Sequence, residues 1–146
     1  MSKIYLAYGS NMNLEQMRGR CSTAEKLGTA LLQDYELQFR GVAGNAHLTI
    51  EPCKGKSIPV VLFLIQDRDE ANLDFYEGYP SYYIKKNITV SLGGKETEAM
   101  AYIMVEGKRL NLPSDYYYEV CRQGYEDNGF DLAPLEEAYR KSAFSL

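Results

Sequence analysis

The stretch "IYLAYGSNMN", Ile4 to Asn13, decides how the rest of the chain is read. Apolar residues alternate up to Tyr8, and Gly9-Ser10-Asn11 then interrupts them. The alternation predicts a strand over Lys3 to Tyr8, with Ile4, Leu6 and Tyr8 on one face. Asn13 has the character of a helix N-cap, and Gln16 three residues on completes a capping-box pattern. A short helix to about Gly19 is therefore expected. A strand that delivers Gly-Ser-Asn to a helix start leaves several N–H groups without intrahelical partners, aimed at one place. Such a place accepts a carboxylate or a developing oxyanion, and glycine lets the ligand approach because it has no Cβ. An ordinary strand-to-helix turn accounts for the same residues. Neither G-x-G-x-x-G nor G-x-x-x-x-G-K-[ST] is present, so nothing here points to a nucleotide.

Downstream, Ala24 to Leu32 and Tyr35 to Phe39 read as strands separated by Asp34, and Gly41 to Asn45 as a loop. Ala46 to Glu51 and Ile58 to Ile65 follow as strands. Asp67 opens a short helix with acids in its first turn and Gly78 beyond its end. Tyr82 to Leu92 and Glu96 to Val105 form a hairpin about Gly93-Gly94. Pro113-Ser114-Asp115 starts a helix carrying Tyr117, Val120, Cys121 and Gly124, and a last helix spans about Ala133 to Lys141. Many strands, few short helices between them and helices at the end predict an α+β domain, residues 1–146, around a strongly curved sheet or open barrel.

The composition narrows the function. The chain has 146 residues, 45% hydrophobic and 25% charged, ordinary values for a soluble globular domain. Its net charge of −4 argues against nucleic acid as a partner. No run approaches the roughly 20 apolar residues of a membrane span, and "MSKIYLAYGS" has no signal-peptide core. Three widely spaced cysteines and one histidine offer neither a disulfide framework nor a zinc site. A cytoplasmic protein without metal or cofactor is expected; the oligomeric state is not legible. Tyr 13, Phe 5 and Trp 0 favour pockets with hydroxyls that want partners.

Among candidate chemical groups, Glu77 ends the helix "DRDEANLDFYE" just before Gly78. A carboxylate there opposes the helix dipole, and Tyr76, Tyr79, Tyr82 and Tyr83 surround it in sequence. Both effects raise its pKa toward the range useful for proton transfer. A solvated carboxylate beside a turn is the plainer description. His47 has no evident acid partner, the cysteines have no adjacent base, and "YGSN" is not the G-x-S-x-G elbow. Tyr117 and Cys121, four apart on one helix, fit a core face as well as a site.

Taken together, "YLAYGSN" and "LDFYEGYPSYY" (Leu73 to Tyr83) resemble the γ-glutamyl cyclotransferase-like family, with "LQDYELQF" and "YYEVCRQGYEDNGF" extending the likeness over most of the chain. The resemblance implies a small mixed β-barrel with short flanking helices and a pocket at one rim. It implies that Tyr8, Gly9, Ser10 and Asn11, with Met12 just beyond, hold a γ-glutamyl group through backbone amides. Glu77 matches the family's acid/base glutamate, Tyr83 the tyrosine of E-G-x-P-x-x-Y, and Tyr117 a late-helix tyrosine seven residues before a glycine.

The implied reaction is cyclisation of the γ-glutamyl part of an amine or amino acid to 5-oxoproline, releasing the free amine. Such a substrate carries its own nucleophile, so an enzyme nucleophile, metal or cofactor is unnecessary, and the partner is a small molecule. The E-G-x-P-x-x-Y form looks closest to the branch acting on γ-glutamylamines. Two other readings stand beside this one: a binding module on the same fold without turnover, and a cyclotransferase for a tailored metabolite.

Overall fold

The computed structural model describes residues 1–144. The first strand, β1 (Ser2–Ala7), lies at the centre of a five-stranded sheet and is followed by one 3-10 turn, Ser10–Met12, and α1 (Leu14–Arg20). A long hairpin comes next, β2 (Glu25–Val42) and β3 (Asn45–Gln66), then α2 (Asp67–Glu77). A second hairpin, β4 (Tyr83–Leu92) and β5 (Lys95–Met104), precedes α3 (Asp115–Asp127) and α4 (Ala133–Phe144). The strand order is β2-β3-β1-β5-β4, with β1 antiparallel to β3 and parallel to β5. The α+β class is as expected. The barrel does not close: β2 and β4 form the two edges without pairing. They do approach, since Leu92 Cδ1 lies 3.1 Å from where a Cβ on Gly28 would stand.

Three expectations change in tertiary context. Tyr5, Leu6, Ala7 and Tyr8 are all buried, so β1 does not present one apolar face. A central strand has both faces covered, and alternation then loses its meaning. Asp34 does not end a strand. It sits within β2 at φ 65, where the register with β3 shifts, and its carboxylate accepts the Gly55 N–H at 3.0 Å. Such a bulge re-aims a strand without ending it. The supposed loop Gly41 to Asn45 reduces to a tight turn, because Val42 already pairs with Asn45. The Gly93-Gly94 hairpin is as read, both residues having positive φ.

α4 packs along β2, on the side of the sheet. Lys141 pairs with Glu36, and Lys56 with Glu137 at 2.8 Å. Among the described residues no helix is long and apolar enough to cross a membrane.

The 3-10 turn is held in place by α3. Asn13 Nδ2 donates to the Val120 carbonyl at 3.1 Å, and Asp127 accepts the Leu14 N–H at 3.0 Å. Asn128 Nδ2 reaches the Met12 carbonyl at 2.9 Å. This lacing requires the two backbones almost to touch at Gly124. A Cβ there would stand 2.7 Å from Asn13 N and 2.9 Å from the Met12 carbonyl carbon. Helix propensity alone would make Gly124→Ala stabilising by about 1 kcal/mol, whereas overpacking against backbone costs about 1–3 kcal/mol. The steric effect wins, and urea denaturation of Gly124→Ala is expected to show a net loss of stability.

Candidate active site

Each part of the site arrives on its own element. β1 ends at Ala7 and releases Tyr8 and Gly9 into the 3-10 turn, where Met12 N–H bonds the Gly9 carbonyl at 3.0 Å and Asn13 N–H that of Ser10 at 3.1 Å. N–H groups that open such a turn have no acceptor within it. α2 carries Glu77 as its last residue, and Gly78, left-handed at φ 68, stops the helix. The Ser81 and Tyr82 amides fold back onto the Gly78 carbonyl at 2.9 and 2.8 Å, which brings Tyr83 round to the same side. α3 contributes Tyr117. These elements surround one cavity of about 360 Å³.

Glu77 meets the turn through a single side chain, Asn11. Asn11 Nδ2 donates to Tyr5 Oη at 2.8 Å and lies 3.4 Å from Glu77 Oε1. Its Oδ1 accepts from Arg20 Nη1. The amide can point its NH2 at Glu77 because the arginine takes the other end. Arg20 is itself fixed: Nη1 reaches Ser10 Oγ at 3.3 Å, Nη2 reaches Gln16 Oε1 at 2.7 Å, and the guanidinium packs over the Tyr76 ring at 3.5 Å. Asn13 caps α1 as expected, accepting the Gln16 N–H at 3.1 Å. Gln16 uses its own side chain to hold Arg20.

Burial raises the Glu77 carboxyl to about 7, against the downward pull of Arg20's charge and the Asn11 hydrogen bond. The residue keeps part of its surface open to the cavity, yet protein packs closely enough around the carboxyl to weaken its hydration. The phenols of Tyr5, Tyr8, Tyr82, Tyr83, Tyr102 and Tyr117 are all pushed up, chiefly by burial, and stay neutral. Burial lowers His47, so its imidazole is uncharged at neutral pH. Cys21 and Cys121 are raised to about 12, again by burial, and supply no thiolate. Glu77 is thus the cavity group placed to exchange a proton near pH 7.

Three tyrosines converge on the backbone of Leu48 in β3. Tyr83 Oη donates to the Leu48 carbonyl at 2.7 Å, and Tyr117 Oη accepts its N–H at 3.1 Å. Tyr8 Oη donates to the Tyr102 carbonyl at 2.6 Å, with the Leu48 carbonyl 3.5 Å away. Their hydroxyls therefore brace a wall, while the rings face the cavity.

Of the residues singled out from sequence, Tyr8, Gly9, Ser10, Asn11, Glu77, Tyr83 and Tyr117 all line this one cavity. Met12 does not. Its side chain is fully buried in the core, because the 3-10 turn rotates it inward toward α3. Tyr76 and Tyr82, named from sequence only as neighbours of Glu77, and His47, weighed only as a base, line the cavity too, as do Tyr5, Leu48, Phe75 and Tyr102, which the sequence did not bring forward. For Tyr82 the signal was available in "YPSYY", next to Tyr83. Tyr5, Tyr102 and Arg20 carried no local signal, since strand pairing and helix packing alone bring them here.

Known proteins place this architecture. The family model described as "Gamma-glutamyl cyclotransferase, AIG2-like" matches residues 5–119, and the chain belongs to the gamma-glutamyl cyclotransferase family of enzymes. The gamma-glutamylcyclotransferase of Bos taurus is 31% identical over 99% of this chain and 79% of its own length. A solved gamma-glutamyl cyclotransferase superposes with a TM-score of 0.83 at 26% identity, over 94% of this chain and 86% of that one. A mouse AIG2-like protein reaches a TM-score of 0.59 at 17% identity, over 73% of this chain and 79% of that one, a likeness of fold alone.

Two outcomes follow from the electrostatics. Glu77 binds its proton more tightly folded, at about 7, than at its ordinary value of 4.5. Its favourable contribution is complete below pH 4.5 and is lost as the pH rises through 7. Glu77→Gln is therefore expected to stabilise the fold by about 1–3 kcal/mol at pH 8 and negligibly at pH 4, read from urea midpoints. Arg20→Met removes the charge that holds Glu77 down, so a carboxyl 13C titration is expected to move its midpoint above 7.

Proposed function

We propose that this enzyme cyclises the γ-glutamyl group of a γ-glutamyl amine or amino acid to 5-oxoproline, with Glu77 as base and then acid. The observation that carries the proposal is the position of Glu77: a carboxyl raised to about 7, across one cavity from the opening amides of the Gly9–Asn11 turn. The substrate's α-carboxylate or its developing oxyanion takes those N–H groups. Glu77 accepts a proton from the α-ammonium, and the freed amine attacks the γ-carbonyl carbon. A ring C–N bond forms while the carbonyl electron pair moves onto oxygen. Collapse restores the carbonyl and breaks the bond to the leaving nitrogen. Two protons leave the α-nitrogen overall and both end on the departing amine, with Glu77 as carrier.

The protein's share of the acceleration then has three sources. Folding a flexible γ-glutamyl chain into attack geometry is worth up to about 7–11 kcal/mol. An oxyanion donor from the turn adds about 2.7–4 kcal/mol. Proton transfer by a carboxyl matched to the working pH contributes about 10²–10⁴-fold. No step needs a group on the enzyme more nucleophilic than the substrate's own amine.

The leaving amine is a separate matter. The motif around Glu77 resembles the γ-glutamylamine branch, whereas relatives at 28% and 31% identity carry the gamma-glutamylcyclotransferase name. A panel of γ-glutamyl amines and amino acids, followed for 5-oxoproline by mass spectrometry, tests both. Glu77→Gln is expected to retain its fold and substrate binding but to lose at least 10²-fold in kcat. In the wild type kcat/KM is expected to fall tenfold per unit below pH 7, as Glu77 becomes protonated. Turnover by Glu77→Gln equal to wild type would remove Glu77 from the mechanism.

A further inference from the structure

The cavity is graded from a closed polar end to an aromatic mouth. Ser10, Asn11, Leu48, Tyr83 and Tyr102 are buried, whereas Phe75 is 91% exposed and Tyr76 44%. His47 and Tyr82 stand between these extremes, joined by a 3.0 Å contact between Nδ1 and Oη. A γ-glutamyl group seated against Glu77 and the Gly9–Asn11 turn has its leaving part directed outward, past Phe75, Tyr76 and Tyr82. That leaving part is met by aromatic side chains and, among the described lining residues, by no lysine or arginine.

The charges nearby reinforce this. Glu77 is the cavity's carboxylate, and His47 is neutral. Arg20, behind the lining, already serves Asn11, Ser10 and Gln16 and packs on Tyr76. Lys108 holds its ammonium 4.6 Å from the centre of the Tyr82 ring, outside the lining. A second substrate carboxylate at the mouth would face Glu77 and find no arginine or lysine in the lining to pair with, so it gains no built ion pair there. An aromatic group would instead cover Phe75 and stack among Tyr76 and Tyr82, where ring pairs add to the gain from area alone.

Resting on the cyclisation proposed above, the geometry points to a leaving-group subsite formed by Phe75, Tyr76, His47 and Tyr82 that takes an aromatic amine without a carboxylate. Phe75, as the exposed ring at the end of α2, is its specificity-determining residue. The chemical class is a γ-glutamyl arylalkylamide. Glutamyl amides of small alkyl amines lack the ring, and γ-glutamyl aromatic amino acids carry the unwanted charge.

Three substrates separate these terms: γ-L-glutamyl 2-phenylethylamide, γ-L-glutamyl ethylamide and γ-L-glutamyl-L-phenylalanine, compared by kcat/KM for 5-oxoproline release. The first and third differ by the carboxylate, and the first and second by the ring. The phenylethylamide is expected to exceed each of the others at least tenfold. Phe75→Ala is expected to reduce the phenylethylamide-to-ethylamide ratio at least fivefold, and Phe75→Leu to restore part of it. Phe75 is too exposed for either change to unfold the protein. γ-L-Glutamyl-L-phenylalanine turned over as well as the phenylethylamide would overturn the subsite, and a loss of that turnover in Lys108→Ala would make Lys108 a carboxylate receptor. An unchanged ratio in Phe75→Ala would overturn it as well. Absence of 5-oxoproline from all three substrates and from the wider panel would instead bring down the cyclisation itself.

Discussion

The organisation of the site depends on which way one amide points. Asn11 has a carbonyl end and an NH2 end of nearly equal size, and only the second can meet a carboxylate favourably. Arg20 removes the ambiguity by donating to the carbonyl end, and Tyr5 accepts one of the two NH2 hydrogens. The remaining hydrogen faces Glu77. Four elements thus meet at one side chain: β1 through Tyr5, the 3-10 turn through Asn11, α1 through Arg20, and α2 through Glu77. An unpartnered carboxylate in this place would be pushed further toward its neutral form by burial. The Asn11 contact and the Arg20 charge leave it near neutrality.

The surrounding tyrosines complete that balance. Phenols raised by burial cannot compete as proton carriers, and several of their hydroxyls are already spent on the backbone of β3 and β5. Their contribution is shape and a low-dielectric wall. A wall of leucines would exclude water equally well but would leave the Leu48 N–H and carbonyl, which project beside the cavity, without partners. Buried backbone groups left unpaired cost free energy comparable to a lost hydrogen bond. Tyrosine satisfies them while presenting an apolar face.

Stability and the site pull against each other at Glu77 and agree at Gly124. A carboxyl held at about 7 disfavours the folded state at every pH where it is ionised. The turn it faces has little regular structure of its own and is held from behind by α3, through Asn13, Leu14, Met12 and the close backbone approach at Gly124. That glycine lies beyond the segment matched by the family model, on the part of the helix that supports the site from outside.

The sequence by itself determined the elements and their caps. The two glycines of the β4–β5 hairpin, Asn13 as a helix cap, Pro113-Ser114-Asp115 as a helix start, and Gly78 as a helix stop each act through torsions or hydrogen bonds within a few residues, so a local reading suffices. It also brought Glu77 and the Tyr8–Asn11 turn forward as a pair, through their resemblance to one family. Only the tertiary structure decided what lies between them. Arg20, Tyr5 and Tyr102 reach the site through helix packing and strand pairing, interactions between residues distant in sequence that leave no periodic trace. The same non-local pairing kept Asp34 inside a strand, buried both faces of β1, and turned Met12 into the core. An open sheet rather than a closed barrel is likewise a matter of how far two edges approach, which no stretch of either edge specifies alone.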